Sequence, residues 1–129
     1  MRYLTDEELR VASRFLFLSM AITVIKQDIE HVQKGAFKIK EPYVELLENM
    51  ASEATNERRE LQKIMKNKNI KVVAGNRNES FSSFLFLCRG REEIRNYFNP
   101  VIRNKVEAII QELMVMARLP YQPYVSAKT

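Results

Sequence analysis

Histidine, cysteine and paired carboxylates are the side chains that most often transfer protons, attack as nucleophiles or hold metals. This chain has one histidine, His31, and one cysteine, Cys88. No catalytic signature surrounds either, and the two fall on different predicted elements, so Cys88 reads as a structural thiol. Asp28 and His31 stand three apart, which sets a carboxylate and an imidazole on one helix face. Di-iron bundles use that spacing, but they need a second such pair and two further inward carboxylates. No second histidine exists here. Both residues also lie off the apolar seam through Ile25, Ile29 and Val32, as a surface acid–imidazole pair would. Zinc-ligand spacing is missing, and Gly75-Asn76-Arg77-Asn78 has neither the spacing nor the lysine of a phosphate-binding loop. These residue types point away from an enzyme, and toward no metal, cofactor or small-molecule ligand.

The remaining chemistry is electrostatic. Between Leu61 and Asn78 stand Lys63, Lys66, Lys68, Lys71 and Arg77, with no acid and no aromatic among them. Cations flanked by asparagines can contact phosphates and read base edges, and the net charge of +5 favours an anionic partner. Arg89 and Arg91 could extend the patch. The plainer reading is that lysines at a helix C-terminus complement its dipole and solvate the surface. Without an interleaved aromatic, stacking on single strands has little support. These five cations are the candidate contacts for a nucleic acid or a protein partner.

Helices must position them. Val11, Phe15, Leu18, Ile22, Ile25, Ile29 and Val32 recur in steps of four and three, which aligns all seven along one seam. A second row of Leu16, Met20 and Val24 widens the apolar face, so this helix should be buried on more than one side. Thr5-Asp6-Glu7-Glu8 reads as a capping box at its start, and Gly35 as a left-handed stop after Lys34. Glu41-Pro42 opens a second helix, with proline at the first helical position where its missing donor costs nothing. Its stripe is Tyr43, Leu47, Met50, Ala54, Leu61 and Ile64, with Glu57 as the one miss, and it ends near Lys68. The two helices form an antiparallel hairpin.

Residues 69–90 admit two readings. Ile70-Lys71-Val72-Val73 is β-branched, Ala74 to Asn78 is a turn cluster, and Phe81 to Cys88 is aromatic-rich. These features favour a β-hairpin over about 70–88. Phe81, Phe84, Leu85 and Cys88 also obey helical spacing, which would give a third helix instead. Gly90 then marks a strand-to-helix junction, Arg91 to Phe98 a short helix, and Asn99-Pro100 a break. The last helix carries Ile102, Val106, Ile109, Leu113 and Met116 and stops before Leu119-Pro120. The expected fold class is α+β and mostly helical: a three-helix bundle with a short β-hairpin before the last helices. An all-α four-helix bundle is the alternative. Residues 1–118 form one domain, and 119–129 an extended C-terminal tail.

At 129 residues, with 46% hydrophobic and 29% charged side chains, the composition is that of a soluble globular domain. A lone cysteine cannot form an internal disulfide, which suits a cytoplasmic, reducing setting. The longest apolar run, Phe15 to Ile25, would span roughly 16 Å as helix, about half a bilayer core. Asp6, Glu7 and Glu8 precede it where a signal peptide would be basic.

Several segments share a likeness: Pro42-Tyr43-x-x-Leu46-Leu47, Asn69-Ile70-Lys71-Val72, Phe84 to Gly90, and Tyr97-Phe98-Asn99-Pro100 through Glu107. Together they resemble the sporulation protein YhjD-like group of small proteins from endospore-forming Gram-positive bacteria, over most of residues 5–118. Arg91 departs from it, standing where an aromatic is expected. The resemblance implies a cytoplasmic protein associated with sporulation, with no site residues to transfer. The expected function is a non-enzymatic cytoplasmic interaction protein that self-associates as a homo-oligomer or binds another protein, with no membrane contact. The alternative is nucleic-acid binding through the basic 63–77 segment.

Overall fold

A computed structural model describes residues 3–118. The elements in chain order are α1 (Asp6–Lys34), α2 (Glu41–Lys68), β1 (Ile70–Arg77), β2 (Phe81–Cys88), β3 (Arg91–Phe98) and α3 (Asn99–Arg118). The expected tail at 119–129 lies outside the described residues.

The capping box at the start of α1 is formed in both directions. Thr5 Oγ1 accepts from the Glu8 amide at 3.1 Å, and the Thr5 amide donates to Glu8 Oε1 at 2.9 Å. At the other end Gly35 is extended (φ −78°), not left-handed as its type suggested. Lys40 takes over part of the capping there, donating from Nζ to the Gln33 carbonyl at 2.7 Å. The left-handed cap occurs instead after α2, at Asn69 (φ 57°, ψ 44°), a residue type that tolerates it.

The hairpin reading of 70–88 holds, but it is two-thirds of the sheet. The strands run β1-β2-β3, antiparallel throughout, so Arg91–Phe98 is a third strand and not a short helix. That also sets aside the four-helix alternative and leaves α3 as the single helix after the sheet among the described residues. Arg, Glu and Asn fill much of β3 and hide its period, while the partner strand supplies the hydrogen bonds that override their propensity. Gly90 is accordingly a turn residue. Arg89 (φ 51°) and Gly90 (φ 83°) form a two-residue connection with both φ positive, the geometry that matches strand twist in tight hairpins.

Two packed clusters sit on either side of α1. One joins α1, α2 and α3 through Leu18, Ile22, Ile25, Met50, Ala54, Ile109 and Leu113. The other packs Phe84, Phe86, Cys88 and Ile70 of the sheet against Ala12 and Met65. Phe17, in neither apolar row of the sequence pattern, is buried and meets Tyr97 edge-on at 5.3 Å. Glu57, the miss in the α2 stripe, faces a cation on α1. Arg14 donates to its two carboxylate oxygens at 2.7 and 3.1 Å and also lies 3.0 Å from Glu112 of α3.

A second ion pair ties α1 to the sheet. Arg91 donates to both carboxylate oxygens of Glu8, each at 2.7 Å. The Arg91 hydrogen bonds, then the Thr5 amide, hold the Glu8 carboxyl at about 2 against an ordinary 4.5. A carboxyl depressed on folding stabilises the fold above its unfolded value and loses that contribution as pH falls from about 4.5 toward 2. Glu8→Gln retains a side chain able to complete the cap, so it should remove mainly the charge. The expected cost at pH 7 is about 1 kcal/mol, because the pair is partly solvated. Urea titrations should show the variant and the parent converging near pH 2.

Candidate interaction surfaces

Alternation along the strands divides the sheet into two faces. Ser82, Phe84, Phe86 and Cys88 of β2 are buried against the helices. Phe81, Ser83, Leu85 and Leu87 fall on the opposite face by the same alternation, and among the described residues no helix belongs to a buried cluster on that side. Pairing register extends this outer face into rows. Val73, Leu85 and Ile94 stand side by side across the three strands, and so do Lys71, Leu87 and Glu92. Ser83 and Asn96 form a polar third row, and Phe81 and Phe98 a fourth, with ring centroids 5.4 Å apart. Ile94 is 69% exposed, and Val73, Phe81 and Phe98 are each close to half exposed. An outer face with two apolar rows departs from the usual polar-out pattern of an antiparallel sheet, and exposed apolar surface of this kind is a candidate interaction site.

The charges on the two faces are treated differently. On the inner side, Arg91 is paired with Glu8, and Arg95 with Glu93 at 2.8 Å. Lys71 and Glu92, at opposite ends of one outer row, have no ion pair or hydrogen bond among the described residues.

The five cations named from the sequence are divided between α2 and β1. Lys63 is paired within α2 to Glu60 at 3.5 Å, and Lys68 reaches Glu7 of α1 at 3.7 Å. Lys66 is exposed near the end of α2. Lys71 belongs to the outer face, and Arg77 lies at the far end of the same strand, roughly 20 Å away. Arg89 approaches the Asn67 carbonyl at 3.5 Å and Arg91 is used by Glu8, so neither extends a common patch.

Arg77 instead borders a groove of about 1090 Å³ between α1, α3 and the β1–β2 end. Met20, Val24, Phe84, Ile102, Val106 and Ile110 supply apolar walls, with Arg77, Arg103 and Glu107 among the polar lining. Ser82 donates to Asn99 Oδ1, and Asn99 Nδ2 donates to the carbonyls of Asn78 and Glu79, so the turn beside the groove is tied to the start of α3. A bulge between Ala74 and Arg77 brings Gly75 so close that a Cβ there would meet Ser83 Oγ at 2.7 Å.

His31 and Cys88 are not brought together. Cys88 lies beside Arg91 and Glu8 at the start of α1, whereas His31 is roughly 35 Å further along that helix. Burial pushes the Cys88 thiol up, and its Sγ donates to the Lys68 carbonyl at 3.3 Å, which describes an unreactive side chain. Asp28 and His31 are exposed. Among the described residues no group of three or more His, Cys, Asp or Glu side chains is placed to hold a metal, and no helix is long and apolar enough to cross a membrane.

The family described as YhjD protein matches residues 3–118, which takes in all six elements. The chain belongs to the YhjD family. It is 32% identical over 107 residues to "Uncharacterized protein YhjD" of Bacillus subtilis (strain 168), covering 83% of this chain and 89% of that protein. No solved structure matches. The family match thus covers the three helices and all three strands, β3 included, which the sequence pattern presented as a short helix.

Proposed function

We propose that this protein is a non-enzymatic interaction protein that associates with itself through the outer face of its sheet. The observation that carries the reading is the run of exposed apolar side chains at Val73, Phe81, Ile94 and Phe98 around Leu85 and Leu87. In the fold no apolar side chain of α1 is more than partly exposed. Exposed apolar side chains occur on α3, at Val101, Met114, Val115 and Met116, and on the sheet, where Val73, Phe81, Ile94 and Phe98 share one face. Association of this kind suits a cytoplasmic protein, and the resemblance to sporulation proteins supports placing it in sporulating cells. Nucleic-acid binding has the weaker support, because its five cations are spread over α2 and both ends of β1.

Sedimentation velocity over a wide concentration range tests the reading. The parent is expected to pass from monomer to dimer, and Ile94→Asp to remain monomeric while keeping its circular dichroism spectrum. A parent that stays monomeric at the highest soluble concentration would overturn it.

A further inference from the structure

We infer that two copies stack their sheets face to face about a two-fold axis running along β2, with Lys71 of each copy against Glu92 of the other. The inference rests on the self-association reading above and adds the geometry of the contact. It follows from the row Lys71–Leu87–Glu92, which carries an unpaired cation at one edge, an apolar side chain in the middle and an unpaired anion at the other edge.

Sheets packed face to face lie about 10 Å apart with their strands roughly aligned. A two-fold along the central strand turns one sheet over, so β1 of each copy lies above β3 of its mate and β2 lies above β2. Heights along the strands are preserved. Leu87 and Leu85 therefore meet their own counterparts on the axis, Val73 meets Ile94, and Lys71 meets Glu92 twice. Every apolar position in these two rows faces an apolar one, and both orphan charges gain partners of opposite sign. A two-fold across the strands does the reverse. It stacks β1 on β1 and β3 on β3, gathering the two lysines along one edge and the two glutamates along the other. Isologous contacts require this kind of self-complementarity, and charge matching at the rim fixes register more than it adds affinity.

The size of the face sets the strength expected. Three strands of eight residues cover roughly 400 Å² in projection, and the two copies together would bury about 1,000 Å². That is the small end of specific interfaces, so the dimer should be reversible and form at micromolar concentration.

Charge reversal tests the axis. Lys71→Glu sets like charges against each other twice per dimer, as does Glu92→Lys, and each is expected to weaken self-association about tenfold or more. Mixing the two variants in equal amounts should restore dimers to nearly the parental strength, because each then supplies what the other lacks. The restored dimer should weaken as salt rises, since rim charges are screened. Parental dimers that Ile94→Asp abolishes, with no recovery on mixing, would overturn the axis and leave the outer-face reading standing. A monomeric parent would remove both. Substitution at two exposed positions outside the packed clusters leaves the fold intact, and circular dichroism checks this for each variant.

Discussion

Phe86→Ala should cost about 3–5 kcal/mol of folding stability, the largest single-residue effect expected in the protein. Phe86 lies on the central strand and is fully buried, with Phe84 and Cys88 on the same strand and Ile70, Met65 and Ala12 completing its cluster. Few neighbours can close the space that a lost ring would leave, because one side is a hydrogen-bonded sheet and the other is a pair of long helices. Domains of this size have total stabilities of roughly 5–15 kcal/mol, so the variant should populate unfolded chain at modest urea concentrations. Leu85→Ala, one residue away on the outer face, should cost less than about 1 kcal/mol when measured on the dilute monomer. The pair is a direct test of which face is which. Equal losses at both positions would mean that the sheet is covered on both sides, and that the outer face is not available to a second copy.

The helices and the two faces of β2 were unequally legible. Helix stripes report on themselves, because a burial period of 3.6 appears in the sequence whatever the partner is. The stripe from Val11 to Val32, the capping box at Thr5 and the boundaries of α2 all survive in the structure. Strand β3 does not report on itself. Its inward positions are Arg91, Glu93, Arg95 and Tyr97 and its outward ones Glu92, Ile94, Asn96 and Phe98, so charge and apolar residues occur on both faces. Only the pairing with β2 defines it, and pairing is a long-range fact. The apolar rows of the outer face were hidden for the same reason. Leu85, Ile94 and Val73 are distant in sequence and become one row only when the register is known. The basic segment is the converse case. Its cations are neighbours in sequence, and the turn from helix to extended strand carries them apart.

Glu57 raises a related point, because a charge placed in an apolar stripe predicts a partner without naming it. The partner is Arg14, which touches α2 and α3 at once through Glu57 and Glu112. Hydrogen bonding to Glu57, set against partial burial, raises the Arg14 value above its usual one and keeps the guanidinium charged at any working pH. Arg14→Met leaves two carboxylates converging with no counter-charge. Truncating one member of a fully buried pair costs about 3–5 kcal/mol, and an exposed pair is worth at most about 1. With Arg14 and Glu57 about one-third exposed and Glu112 about half exposed, the expected loss is about 2 kcal/mol. Replacing Glu57 and Glu112 with leucine in the same chain should recover most of it, since well-packed apolar groups often match a partly buried ion pair. Urea unfolding of the single and triple variants measures both quantities. A single variant as stable as the parent would show that the three-helix junction is held by its apolar seam alone. A triple variant no better than the single one would show instead that Arg14 acts through the packing of its own stem, which a charge-based account does not allow.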